Sequence, residues 1–184
     1  GYYKDPEYTK QVCDEEGWLH TGDIGMMVDG EFLKITDRKK EIFKLSSGKY
    51  VAPQLIENKF KESIFIEQIM VVGENEKFAS ALISPNFNYL HFWASKYKIH
   101  YRDNEELIKK TLVIERIQRE VDLVNKELGD HEKIKRFRLV CEEWSPQSGE
   151  LSPTLKLRRN IIYKKYDHIL REIFQYSKND ENGK

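Results

Sequence analysis

The chain has 184 residues, enough for one domain of ordinary size or for one domain plus part of another, and 39% of them are apolar. Lysine plus arginine number 31 and aspartate plus glutamate 31, so no net field favours a polyanion such as nucleic acid. Cys13 and Cys141 lack CxxC or histidine-rich spacing, which argues against a disulfide framework or a metal site, and no apolar run approaches the roughly 18 residues of a membrane span. With no segment resembling a signal peptide, the expectation is a soluble, cytoplasmic protein in a reducing compartment.

Along the chain, residues 1–23 carry turn formers at Asp5-Pro6 and Asp14 to Gly17 but little periodicity. Asp29-Gly30, set between two β-prone runs, predicts a tight hairpin over 24–36. Ile42 to Leu45 reads as a short strand-like run that breaks into Ser46-Ser47-Gly48, a small, flexible, hydroxyl-rich loop flanked by Lys44 and Lys49. From Pro53, residues Leu55, Ile56, Phe60 and Ile64 fall at helical spacing, with proline tolerated in the first turn.

Two strand candidates follow, "IEQIMVVG" and "FASALIS", the second ended by Pro85. A helix is expected over 86–98 with Phe87, Leu90, Ala94 and Tyr97 on one side. Residues 103–128 predict one long helix, with Asp103 and Glu106 as a capping pair and a stripe of Leu107, Ile114, Ile117, Val121, Val124 and Leu128, ended by Gly129. "KRFRLVC" reads as a strand, "SPQSGELSPT" as a loop, and Leu157 to Phe174 as a last helix with Ile162, Tyr166, Ile169 and Ile173 inward. The polar tail 177–184 is expected to be disordered. Strands interleaved with helices after a purely β opening make this an α+β protein: a small domain with a short antiparallel sheet, preceded by strands belonging elsewhere.

Four stretches carry potential chemistry. Asp23, between Gly22 and Ile24 at the mouth of the hairpin, could accept hydrogen bonds from two adjacent ribose hydroxyls or cap local N–H groups in a turn. Arg38 could bond the same sugar or a phosphate, or belong to a solvated Arg-Lys-Lys run. Ser46, Ser47 and Gly48 carry so little bulk that a ligand could pass close to the backbone, although the same residues also make an ordinary connection. Lys156, after a proline-containing loop, could present a mobile charge to a phosphate or carboxylate, or only aid solubility.

Taken in order, "GYYKDPEYTKQVCDEEGWLHTGD", "DRKKEIFKLSSGKYVAPQLIE" and "LSPTLKLRR" closely resemble three motifs from the C-terminal end of the AMP-forming acyl-CoA synthetases, in the adenylate-forming superfamily. The likeness spans roughly residues 1–175, and the 86–135 region looks most like the long-chain fatty-acid group. It implies two steps: a fatty acid and ATP give acyl-AMP and pyrophosphate, and CoA then displaces AMP. The resemblance implies that Asp23 and Arg38 bind the AMP ribose, that Lys156 bridges the carboxylate and α-phosphate during adenylation, and that the chain swivels about a hinge at Lys40. The loop at Ser46, Ser47 and Gly48 would then line the pantetheine tunnel.

On this resemblance residues 1–37 are the terminal strands of a large N-terminal adenylation domain, 38–176 are the mobile C-terminal lid, and the chain is a piece of a longer enzyme. ATP, Mg2+ and CoA are implied, with their sites mostly in the N-terminal domain, so the chain alone is expected to catalyse neither step. Its own N-terminal domain is the implied protein partner, nucleic acid is not expected, and long-chain substrates make peripheral membrane contact an expectation. Without that domain the hairpin is expected to expose Ile24, Met26, Phe32 and Ile35, and then to pack against the lid, pair with a second copy or lose order. Two other readings stay open: a lid receiving an acyl-carrier protein in place of CoA, and an anionic-surface or nucleic-acid module drawing on "KIKRFR", "KLRR" and "YKKY".

Overall fold

The computed structural model describes residues 1–175, so the tail 177–184 and the last residue of the expected lid lie outside it. The chain divides into two units, Gly1–Ile42 and Phe43–Lys184.

The first unit opens with helix α1 (Pro6–Val12), which begins because the Asp5 carboxylate accepts the Tyr8 N–H at 2.9 Å and Pro6 needs no helical partner for its nitrogen. The helix buries no residue and therefore has no apolar stripe to announce it. A turn follows in which the Asp14 carboxylate accepts the N–H groups of Glu16 and Trp18. Strands β1 (Asp23–Val28) and β2 (Phe32–Arg38) then form the expected hairpin, with positive φ at Asp29 and Gly30. The strands are formed, and Ile24, Met26, Phe32 and Ile35 remain exposed. No described residue of this unit is buried.

The second unit is α+β. A short hairpin of β3 (Phe43–Lys44) and β4 (Tyr50–Val51) leads into α2 (Pro53–Lys59), which tightens into a 3-10 turn over Phe60–Glu62. Strands β5 (Ile66–Val72) and β6 (Ser80–Pro85) pair antiparallel. Helices α3 (Phe87–Lys96), α4 (Asn104–Ile108) and α5 (Thr111–Asn125) precede β7 (Arg136–Leu139), which pairs parallel to β6. The chain then runs to α6 (Arg159–Lys165) and α7 (Asp167–Ile173). Strand β6 is central in the order β5-β6-β7, and all six of its residues are buried.

The sheet separates two cores, and strand alternation decides which residue serves which. Ile69, Val71, Ala81 and Ile83 join the first core, with Phe43, Leu45 and Val51 of the short hairpin and with side chains from α2, α3 and α5. Met70, Val72 and Leu82 join the second, with Trp144, Leu151, Ile162, Tyr166, Leu170 and Ile173.

Several expectations are corrected. The helix expected over 103–128 is broken at Lys110, which is extended at ψ 129°, and it ends at Asn125 rather than at Gly129. The break resets the phase: Val113, Ile117 and Val121 are fully buried, while Ile114 is exposed. Asn125 ends α5 by bonding both main-chain groups of Ile134, at 3.0 and 2.9 Å. The last helix also breaks, at Tyr166, whose hydroxyl accepts the Trp144 indole N–H at 3.2 Å in the second core. Leu55, Ile64 and Tyr97 are exposed instead of inward: within α2 it is Ile56 that meets the core, Ile64 lies past the 3-10 turn, and Tyr97 caps the end of α3.

Around the open edge of β5, one ion pair joins elements from both cores. Arg159 donates two hydrogen bonds to Glu57, at 3.0 and 2.8 Å, and the same carboxylate accepts the Val71 N–H at 2.8 Å. Both side chains are largely withdrawn from water, at 16% and 10% exposure, so removing the guanidinium would leave a buried charge poorly compensated. Denaturant unfolding of Arg159→Met should therefore show a stability loss of about 3–5 kcal/mol. A loss below about 1 kcal/mol, the range of surface pairs, would show that the pair does not hold α6 in place.

Candidate functional site

Asp23 and Arg38 lie opposite each other at the open end of the β1–β2 hairpin, with Arg38 Nε 3.2 Å from Asp23 Oδ1. The cross-strand register brings them together, and the Asp23 N–H is fixed by the Thr21 hydroxyl at 3.1 Å. The pair presents a carboxylate with further acceptor capacity beside a planar set of donors, a combination suited to a sugar diol and a neighbouring phosphate. Lys40 sits in the turn that follows, where the Arg38 carbonyl accepts the N–H groups of Glu41 and Ile42 at 2.9 and 3.3 Å. Lys40 is exposed and lies two residues before the first unit ends.

Ser46, Ser47 and Gly48 form the tip of the β3–β4 hairpin, and all three are exposed. The expected flexible loop is instead a hydrogen-bonded turn. Gly48 N–H donates to the Leu45 carbonyl at 2.8 Å, and Leu45 N–H donates to Lys49 at 2.9 Å. The turn is also stitched to the segment after β5, through Ser46 N–H to Glu76 at 2.9 Å and Asn75 N–H to Lys44 at 2.8 Å. Gly48 has φ +85°, a backbone that side-chain-bearing residues rarely adopt, and a Cβ there would meet nothing closer than Lys44 Cε at 3.7 Å. Beneath the tip, Phe43, Leu45 and Val51 are anchored in the first core.

Lys156 sits on a second tight loop, closed by a bridge between Leu151 and Leu157. Ser152 organises it: its N–H donates to the Lys156 carbonyl at 2.8 Å, and its hydroxyl accepts the Lys156 N–H at 3.0 Å. Leu155, next to the lysine, has φ 58°, a left-handed conformation costing about 1–3 kcal/mol in a non-glycine residue. The loop thus commits strain to one backbone path, and Lys156 projects from it exposed to solvent. Leu151 and Leu157 pack in the second core.

Sequence reasoning missed the groups that hold this loop. Glu150, within the segment expected to be a loop, is 1% exposed. Lys165 Nζ donates to its Oε1 at 2.7 Å and also binds Glu142. Burial pushes the Glu150 carboxyl up, but the Lys165 ammonium and the Ser148 hydroxyl outweigh it and hold it below the usual carboxylate value. Burial likewise works against the Lys165 ammonium, and its two carboxylate partners more than reverse this, leaving its pKa above the ordinary lysine value. Nothing in the one-dimensional pattern separates Glu150 from its exposed neighbours. Only its place between Gly149 and Leu151, where the chain turns into the core, gives a signal.

The basic runs are similarly engaged. Arg136 donates to the carbonyls of Ile173 and Gln175, Lys133 pairs with Asp130, and Arg159 with Glu57. A cavity of about 460 Å3 lies between α6, α7 and the turn after β5, lined by Glu74, Tyr163, Asp167 and Arg171 among others, and none of the expected site residues reaches it. Among the described residues no helix is long and apolar enough to cross a membrane.

The chain is 41% identical over 162 residues to the peroxisomal long chain acyl-CoA synthetase 6 of Arabidopsis thaliana, covering 86% of this chain and 23% of that protein. It is 39% identical over 185 residues to long-chain-fatty-acid–CoA ligase 6 of Homo sapiens, covering 96% of this chain and 26% of the relative. The chain therefore spans about a quarter of the length of these relatives. A solved structure of the A domain of a carboxylic acid reductase from Segniliparus rugosus, in complex with AMP and a co-purified carboxylic acid, is similar at a TM-score of 0.73 and 27% identity, over 95% of this chain and 26% of that one. A model of the AMP-binding enzyme C-terminal domain matches residues 40–178, from the turn after Arg38 through both cores, and to that family the chain belongs.

Proposed function

We propose that this chain is the C-terminal part of a long-chain fatty-acid–CoA ligase, with residues 1–37 completing the larger N-terminal domain and residues 38–176 acting as a lid that swivels about Lys40. The observation that carries the proposal is the anchoring of the two candidate loops. The Ser46–Gly48 tip stands on the first core and the Lys156 loop on the second, so they belong to opposite sides of one sheet. A body built this way offers one loop or the other to a bound nucleotide, which suits a reaction whose two transition states need different partners.

In the first step a carboxylate oxygen of the fatty acid bonds to the α-phosphorus of ATP, and the bond from that phosphorus to the bridging oxygen breaks, releasing pyrophosphate. Lys156 offsets the charge shared by the carboxylate and α-phosphate, while Asp23 accepts from the ribose hydroxyls and Arg38 donates beside it. In the second step the CoA sulfur bonds to the acyl carbon, the bond from that carbon to the AMP oxygen breaks, and the thiol proton passes to solvent. Pantetheine is thin and carries amides, so the small side chains of Ser46, Ser47 and Gly48 leave it room along the exposed turn.

The similar structure holding AMP and a carboxylic acid supports the nucleotide and substrate class, and the two ligase relatives support CoA as acceptor. No group of three or more His, Cys, Asp or Glu side chains suited to a metal ion occurs among the described residues, and Mg2+ would accompany the ATP. A long-chain acid partitions into bilayers, so peripheral membrane contact of a cytoplasmic enzyme follows from the substrate class.

In a complete ligase carrying this chain as its C-terminal part, Lys156→Ala should slow acyl-AMP formation by about 10²- to 10³-fold in single-turnover assays. Thioester formation from supplied acyl-AMP should stay nearly intact, and equal damage to both steps would refute the role. Lys40→Pro fixes φ in the hinge, so pyrophosphate release should survive while acyl-CoA formation fails. Unimpaired overall turnover of that variant would place the hinge elsewhere.

A further inference from the structure

We propose that Glu150 and Lys165 are positioning residues for Lys156, a role that rests on the adenylation reading above. The Lys156 loop leaves and re-enters the domain through a narrow neck, and Glu150 touches both sides of it. Its own chain continues directly into Leu151 on the outgoing side, while its carbonyl accepts the Arg158 N–H at 2.7 Å on the returning side. Its side chain turns inward, where Lys165, in the last turn of α6, donates to it at 2.7 Å.

Lys165 is itself fixed by Glu142, whose carboxylate accepts the Tyr166 hydroxyl at 3.4 Å, and that hydroxyl accepts the Trp144 indole N–H at 3.2 Å. A chain of polar contacts thus runs from a buried tryptophan to the neck of the loop. The neck is held by directed bonds as well as by packing.

Two features argue that this arrangement serves more than stability. Only the carboxylate of this pair is withdrawn from water, at 1% exposure against 36% for Lys165, so desolvating Glu150 costs much of what a partly exposed ammonium returns, and an apolar side chain of similar volume would do as well for stability alone. Glu150 Oε2 has no hydrogen-bond partner among the described residues, although it is buried, and a core arranged only for stability leaves few such atoms. What the charged pair supplies is direction, since it fixes the neck in rotation as well as in position. Four residues beyond Leu151 the chain adopts the strained backbone at Leu155 that aims Lys156, and small errors at the neck grow toward that tip.

The test uses a complete ligase carrying this chain, with the two half-reactions timed separately. Lys165→Met leaves a buried carboxylate without its ammonium and can simply unfold, so the neutral double variant Glu150→Gln/Lys165→Met and the single Glu150→Gln are measured beside it. In folded variants adenylation should fall about ten- to a hundredfold, the scale on which an ångström of misplacement acts, while thioester formation from supplied acyl-AMP is unchanged. Lys165→Arg, which keeps donors toward both carboxylates, should restore most of the rate. Equal loss in both half-reactions, or normal adenylation in the folded double variant, would overturn the positioning role. Lys156→Ala run in parallel separates the two claims: if it does not slow adenylation selectively, the adenylation reading is what fails.

Discussion

The carboxylate of Glu57 is the point on which the second unit depends. It accepts two bonds from Arg159 and one from the Val71 N–H, and in doing so it ties together α2, the open edge of β5 and the start of α6. Helix α2 follows directly from the hairpin that bears Ser46, Ser47 and Gly48, and α6 follows directly from the loop that bears Lys156. A single buried ion pair therefore fastens the roots of both candidate loops to the same strand. Surface pairs such as Lys109–Glu105 lie in water and contribute far less to this architecture.

Rigidity of this kind has a functional meaning. The sheet puts Phe43, Leu45 and Val51 in one core and Leu151 in the other, so each loop is rooted in a different side of the same body. Adenylation calls for a cation at a crowded α-phosphate, whereas thioester formation calls for an open path to an acyl carbon. On the proposed function, placing the two solutions on opposite sides of one body lets each be optimised without compromising the other. The local structure of each loop is consistent with that proposal. The Lys156 loop is strained and pinned, and the Ser46–Gly48 turn is bonded through its backbone and kept free of bulk.

Much of this was legible in the sequence where a local rule decides the outcome. Asp29-Gly30 supplies the positive φ that a tight hairpin needs, Asp103 caps α4 through the Glu106 N–H, and β5 and β6 follow from continuous apolar runs. Asp23 and Arg38 meet only because the register shifts by one residue between Ile24 and Gly25, an irregularity that those rules do not imply; the unshifted register would set Asp23 against Asp37. What stayed hidden depends on partners distant in sequence. The break at Lys110 brings Val113 and not Ile114 to the core, and at the break in the last helix the Tyr166 hydroxyl meets Trp144. Nothing in the sequence singles out Glu57 or Glu150, since the cations that bind them, Arg159 and Lys165, lie 102 and 15 residues away. Helix α1 escaped for the opposite reason: it buries nothing, so periodicity had nothing to detect.

The central claim is that one rigid lid exchanges two faces over a nucleotide held by another part of the enzyme. Distances between spin labels in a complete ligase test it most directly, with labels introduced by Ser47→Cys and Thr154→Cys and a third on the N-terminal part. In passing from an ATP-analogue complex to an acyl-AMP complex with CoA, the Thr154 label should move away from the N-terminal label and the Ser47 label toward it, while the separation of Ser47 and Thr154 stays constant. A Ser47–Thr154 distance that changes between the two states, or two lid distances that do not change at all, would contradict the account.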